Sequence, residues 1–149
     1  GMKGEVPQGE HLVPLGLADI KRTGQDATIV AVGSFVHASL EAADTLAQDG
    51  IDVEVVDPRS LVPLDLETLV ASVRKTNRVL VVDGAPRQYG AAAEIAASLA
   101  EAAFDWLDAP VMRLAAEDVP IPFSRGLEPL VYPDAGRIAA AVRSLVDRR

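Results

Sequence analysis

Four short aliphatic runs recur along the chain: "TIVAV" (Thr28 to Val32), "VEVV" (Val53 to Val56), "RVLVV" (Arg78 to Val82) and "VMRL" (Val111 to Leu114). Each is almost continuously apolar instead of alternating with polar residues, the pattern of a strand covered on both faces. Helical periodicity fills the gaps. Leu66, Leu69, Val70 and Val73 share one helical face, as do Ile138, Ala141, Val142 and Leu145, and Ile95, Leu99, Ala102 and Trp106 keep a similar spacing. Strand thus alternates with helix, so successive strands must be joined by right-handed crossovers into a parallel sheet with helices on both sides. The expected fold class is α/β, a three-layer αβα domain with a mainly parallel central sheet.

The punctuation agrees with this reading. Asp65 and Asp134 stand where helix N-caps belong, Gly50 ends the helical pattern around Leu40 to Ala47, and Pro110 breaks the chain before the fourth run. Two segments fall outside the rhythm. Residues 1–24 read as a lead-in: Gly1 before Met2 has the look of a tag-cleavage scar on a cut-out domain, and Pro14 and Gly16 interrupt an extended stretch. One antiparallel edge strand is expected there, at Ala18 to Arg22. Residues 25–149 form the domain proper. Within it, Ala116 to Asp134 carries Pro120, Pro122, Pro129 and Pro133, and so long a proline-punctuated stretch commonly marks a surface used by something else.

Composition excludes several functions. The chain of 149 residues has no cysteine, which removes thiolate nucleophiles, disulfides and cysteine-ligated zinc. Its formal charge of −8 opposes nucleic acid or an anionic membrane as partner. No apolar run has the length of a membrane span, and a cytoplasmic location is the expectation.

One stretch invites a chemical reading: "VVDGAPRQYGAAAEIA", Val81 to Ala96, a strand running through a loop with a glycine at each end into an alanine-rich helix. A Walker-type cradle needs glycines four residues apart followed by Lys and Ser or Thr. Here five residues separate Gly84 from Gly90, and Ala91 follows. The three-glycine dinucleotide fingerprint is also absent, and Asp83 at the strand end would repel an anion. The reading adopted is a βα turn whose Asp83 accepts hydrogen bonds from the loop's own amides, leaving Pro86, Arg87 and Gln88 facing outward. Other candidates carry less. His11 and His37 read as surface histidines, Ser34 as an N-cap, and Asp57 with Arg59 as a local ion pair bracing a turn. Phe104, Trp106, Phe123 and Tyr132 are available as contact anchors, with Phe123 and Tyr132 expected to be the more exposed pair.

"PLGLADIKRTG", "VVDPRSLVPLD", "RVLVVDGAPRQYG" and "FDWLDAPVMRL" followed by "DVPIPF" together resemble the carboxy-terminal domain of the β subunit of thiamine-diphosphate-dependent 2-oxo acid dehydrogenases, the E1 component. The resemblance runs from about Pro14 to the end. Similar domains occur in transketolase and deoxyxylulose-phosphate synthase. It implies a domain that supplies subunit contacts to E1 α, to a second E1 β and to lipoyl-E2, while thiamine diphosphate and magnesium are held elsewhere in the enzyme. No catalytic, cofactor-binding or metal-binding residue is therefore expected here; the candidate interface residues are Pro86, Arg87, Gln88, Phe123 and Tyr132. Where pyruvate-type relatives carry paired acids after this strand, Asp83 is followed by Gly84, and "APRQYG" replaces a glycine-rich loop. Its "PR" is similar to acetoin-type members. The competing readings are a free-standing flavodoxin-like regulatory domain that binds an anion between Gly84 and Gly90, and the carboxy-terminal domain of another transketolase-family enzyme.

Overall fold

Each aliphatic run forms a strand. The computed structural model describes residues 5, 8–10 and 12–147. In chain order the elements are β1 (Asp19–Arg22), β2 (Ala27–Ala31), α1 (Phe35–Gln48), β3 (Val53–Asp57), α2 (Leu66–Thr76), β4 (Val79–Pro86), α3 (Ala91–Ala102), a 3-10 turn (Phe104–Trp106), β5 (Met112–Ala116), α4 (Glu128–Val131) and α5 (Ala135–Val146). The sheet order is β1-β3-β2-β4-β5. β2 pairs in parallel with β3 and β4, and β4 with β5, whereas β1 runs antiparallel along β3. The edge strand expected at Ala18 to Arg22 is β1. Gly24 lets the link from β1 to β2 pass against the backbone of Val53 and Glu54, where any side chain would collide with main-chain atoms.

The uninterrupted apolar runs divide between two cores. Ile29, Val55, Leu80 and Val82 face α1 and α5, where they meet Leu46, Ile138, Val142 and Leu145. Val30, Val56, Val79 and Val81 face α2 and α3, against Leu69, Val73, Ile95 and Leu99. Neighbouring strand residues point to opposite faces, so a strand sandwiched between helix layers needs an apolar side chain at every position. The helical stripe read as Ile95, Leu99, Ala102 and Trp106 ends sooner than its spacing suggests. α3 stops at Ala102, which is exposed, and Ala103 turns into the core in its place.

"VEVV" contains an exception to the apolar rule. Glu54 is 0% exposed and lies under α2, where Oε1 accepts the Ser72 hydroxyl at 2.5 Å and the other oxygen meets the Lys75 ammonium. The Thr28 hydroxyl bonds Ser72 Oγ and Thr76 Oγ1, each at 2.7 Å, so the polar groups of two strands and one helix close on one another.

The caps follow the sequence in two of three places. Asp65 and Asp134 accept the amides of Thr68 and Arg137, whereas Ser34 stands at the head of α1 and makes no capping bond with its side chain. Asp65 does more than cap. Its second oxygen takes the amide of Ala18 at 2.9 Å and the Thr68 hydroxyl at 2.7 Å, fastening the approach to β1 onto α2. These bonds, Ala18 foremost, hold its carboxyl below the ordinary value of 3.8. A depressed folded value means stability that is present above the unfolded value and lost as pH falls through the folded one. Asp65→Ala is expected to cost about 1 kcal/mol near neutrality, with parent and variant converging below about pH 4. Urea unfolding across a pH series measures this; a difference that persists at low pH would mean the loss is one of packing.

Candidate functional site

The β4–α3 crossing occupies the carboxyl end of the sheet, where open α/β folds usually meet their ligands. β4 continues beyond its aliphatic run as far as Pro86, with an irregularity in its pairing to β5 between Val82 and Pro86. Asp83 is 4% exposed and spans the turn: Oδ1 accepts the Ala85 amide at 3.1 Å and Oδ2 the Ala92 amide at 3.0 Å. The residue at the head of α3 is Gly90, which has no side chain to cap with. Asp83 therefore supplies the carboxylate that the positive end of α3 favours. Gly90 is required for the closure, since a Cβ there would collide with the Pro86 carbonyl and come within 2.9 Å of Ala85 Cβ.

The rest of the loop faces outward. Pro86, Arg87, Gln88 and Tyr89 are all exposed, and Tyr89 is held at a left-handed φ of 59° with its ring wholly in solvent. Gln88 gives both its amide and its side-chain nitrogen to Asp118 at 3.2 Å, and Arg113 Nη1 donates to the Arg87 carbonyl at 3.1 Å. Those bonds tie the loop to β5 and to the proline-rich segment beyond it. That segment is almost bare of cover: Val119, Ile121, Phe123, Leu127 and Leu130 are exposed, with α4 its one helical turn.

Of the two aromatic residues expected to be most exposed, Phe123 is and Tyr132 is not. Tyr132 is half-buried with its ring centroid 6.1 Å from that of Phe35, and Arg137, which also pairs with Glu117, holds its carbonyl at 3.2 Å. The second exposed ring of that group is Phe104, at 74%, because the early end of α3 sends Ala103 inward and Phe104 out. Tyr89, which the sequence reading passed over, could have been found from its place in a loop between glycines.

The remaining candidates stay apart. Asp57 accepts the backbone amide of Arg59, and the Arg59 guanidinium instead pairs with Asp19 across the β1–β3 edge at 2.7 Å. The expected Asp57–Arg59 ion pair is thus corrected: Asp19 is the register partner of Asp57, and it lies within reach of Arg59 at the sheet edge. His37 is exposed on α1, and His11 lies outside the described residues. No His, Cys, Asp or Glu cluster suited to a metal ion occurs among the described residues.

The family described as "Transketolase, C-terminal domain" matches residues 16–138. The chain belongs to that family. This transketolase C-terminal domain is 46% identical over 145 residues, 97% of the chain, to a Bacillus subtilis strain 168 protein named acetoin:2,6-dichlorophenolindophenol oxidoreductase subunit beta, and spans 42% of it. It is 44% identical over 143 residues to the pyruvate dehydrogenase E1 component subunit beta of the same strain, covering 96% of the chain and 44% of that protein. A solved structure described as a split-gene transketolase, inactive beta4 tetramer, matches with a TM-score of 0.78 and 31% identity over 98% of the chain and 47% of its own. The chain thus spans less than half the length of the curated relatives it matches. At its β4–α3 crossing the amides of Ala85 and Ala92, which an anion seated there would need, are already taken by Asp83.

Proposed function

We propose that this chain is the assembly domain at the carboxyl end of the β subunit of an E1 enzyme. The whole enzyme carries out thiamine-diphosphate-dependent oxidative decarboxylation, with acyl transfer to lipoyl-E2. The observation that carries the reading is the crevice at the sheet's carboxyl end: the place for a ligand is closed by Asp83, while the surrounding surface is exposed and rich in apolar side chains. Large exposed apolar surface of this kind serves contact with other chains. Its partners in this reading are E1 α, a second E1 β and E2, and thiamine diphosphate with magnesium is bound by other domains of the enzyme. The groups that choose between acetoin and a 2-oxo acid lie on those domains too. No helix among the described residues is long and apolar enough to cross a membrane; the proposed location is cytoplasmic. The same closure counts against a free-standing anion-binding domain.

Pro86, Arg87, Gln88 and Phe123 are the proposed contact residues, with Tyr132 supporting the segment from beneath. Arg87→Ala is expected to change stability by less than about 0.5 kcal/mol, yet to weaken reconstitution of the complete E1 from its subunits. Unchanged reconstitution would remove the loop from the interface. Calorimetric titration of the chain with thiamine diphosphate and magnesium is expected to show no binding, and magnesium-dependent binding would overturn the non-catalytic role.

A further inference from the structure

Beyond the closed turn, the outer face of the loop borders an open space. It measures about 450 Å³ and is lined by Arg87, Gln88, Tyr89, Ala93, Arg113 and Asp118, within the size range of small-ligand sites. Two arginines reach it without an acid to answer them. Arg22, Arg59, Arg78, Arg137 and Arg143 each pair with a carboxylate and Arg74 lies over the Trp106 ring, whereas Arg87 and Arg113 have no such partner among the described residues. Arg113 is also out of keeping with its strand. It is the register partner of Val81, on the sheet face that packs against α2 and α3, where an aliphatic residue would suit better than a cation. One of its nitrogens donates to the Arg87 carbonyl, and a guanidinium has further donors to give. Asp118 lines the same space yet pairs with neither arginine, because Gln88 holds it by one bond to each carboxylate oxygen. Each oxygen keeps a lone pair. Tyr89 completes the wall, its ring wholly exposed and its backbone at a left-handed φ of 59°, a conformation that a bulky residue takes only where its surroundings enforce it.

We propose that this space binds a free α-amino acid with an apolar side chain. The charges select the class. Two guanidinium groups favour a planar carboxylate, which paired N–H donors can grip, but Asp118 on the same wall repels a simple anion. A zwitterion answers both signs at once: its carboxylate lies on Arg87 and Arg113, and its ammonium donates to Asp118. Its side chain then covers the Tyr89 ring beside Ala93, which gives the exposed aromatic face an apolar neighbour. The site is separate from the Asp83 turn, whose amides stay taken. Binding does not rest on the assembly role proposed above. The two share Arg87, so an amino acid and a subunit exclude one another at that side chain, and the ligand acts on unassembled chains.

The measurement is an NMR titration of the 149-residue chain with L-phenylalanine. Saturable shifts are expected at the residues lining the space, with a Kd of about 1 mM, the range a ligand of this size reaches through a few contacts. N-acetyl-L-phenylalanine has the carboxylate of a chain terminus without the ammonium, and phenethylamine lacks the carboxylate. Each is expected to bind about tenfold or more weakly than phenylalanine, for want of one charged hydrogen bond. Asp118→Asn should abolish the preference for phenylalanine over its N-acetyl form. Arg113→Leu should weaken phenylalanine about tenfold or more, while leucine suits the apolar face on which Arg113 stands. Asp118 is exposed, and a lost preference cannot come from damaged structure, which lowers both affinities alike. Absence of saturable binding, equal binding of the N-acetyl form or of phenethylamine, an unchanged preference in Asp118→Asn, or parent-like binding by Arg113→Leu would each overturn the proposal. Reconstitution of E1 reads the assembly role separately, so either can fail while the other stands.

Discussion

Lys75→Met is expected to destabilise the chain by about 3 kcal/mol in urea unfolding at neutral pH. Glu54 sits on β3 with no exposed surface, and its charge is answered by one cation, Lys75, beside the Ser72 hydroxyl. Removing the cation leaves a buried carboxylate that has lost water and gained no charge partner. The Lys75 side chain is one-third exposed, so water at that end keeps the loss near the lower limit for a broken buried pair. Exchanging both residues, Glu54→Leu with Lys75→Met, is expected to cost less than either single change. Ser72, Thr28 and Thr76 can still bond one another, and neither charge remains to be desolvated. The coupling term of the double-mutant cycle is the decisive quantity. Strictly additive losses would show that the pair acts through separate packing effects and not through its charges.

The same residue shows what a strand run conceals. "VEVV" announces a buried strand through its three valines, and the strand forms with Glu54 inside it. What makes that position tolerable is a serine and a lysine of α2, and no local pattern connects them to β3. The layers, the parallel direction of β2 to β5 and the capping aspartates were legible because apolar period and cap chemistry are local. The head of α3 was legible in part: Asp83 was read as taking the loop's own amides, as it does at Ala85, but not as reaching the Ala92 amide of the helix, nine positions downstream in a different element. Ser34 shows the converse: it has the right residue type at the right place, and the hydroxyl makes no capping bond. At the candidate site the outward loop was readable from Asp83, Pro86 and the two glycines. The inward turn of Tyr132 was not, because it depends on Phe35, a residue of α1 nearly one hundred positions away.

Asp83→Ala is expected to cost about 3 kcal/mol, from two backbone amides that lose a charged acceptor in a buried turn. Ala85 and Ala92 both donate to this carboxylate, and α3 begins at a glycine that offers no replacement. Asp83→Asn keeps an acceptor oxygen at the same place and removes the charge, so its loss should be smaller and should isolate the interaction with the helix end. The Ala variant also reopens the seat that open α/β folds give to anions, with Arg87 nearby and the acid that guarded it gone. Added inorganic phosphate should therefore raise the thermal midpoint of Asp83→Ala more than that of the parent, by linkage to a site that only the folded variant offers. Equal shifts in both proteins would mean a general salt effect and leave the seat closed by something other than Asp83. If instead Asp83→Ala matched the parent in stability, the amides of the turn would have found water, and the carboxylate would have to be explained by the contact proposed for this loop.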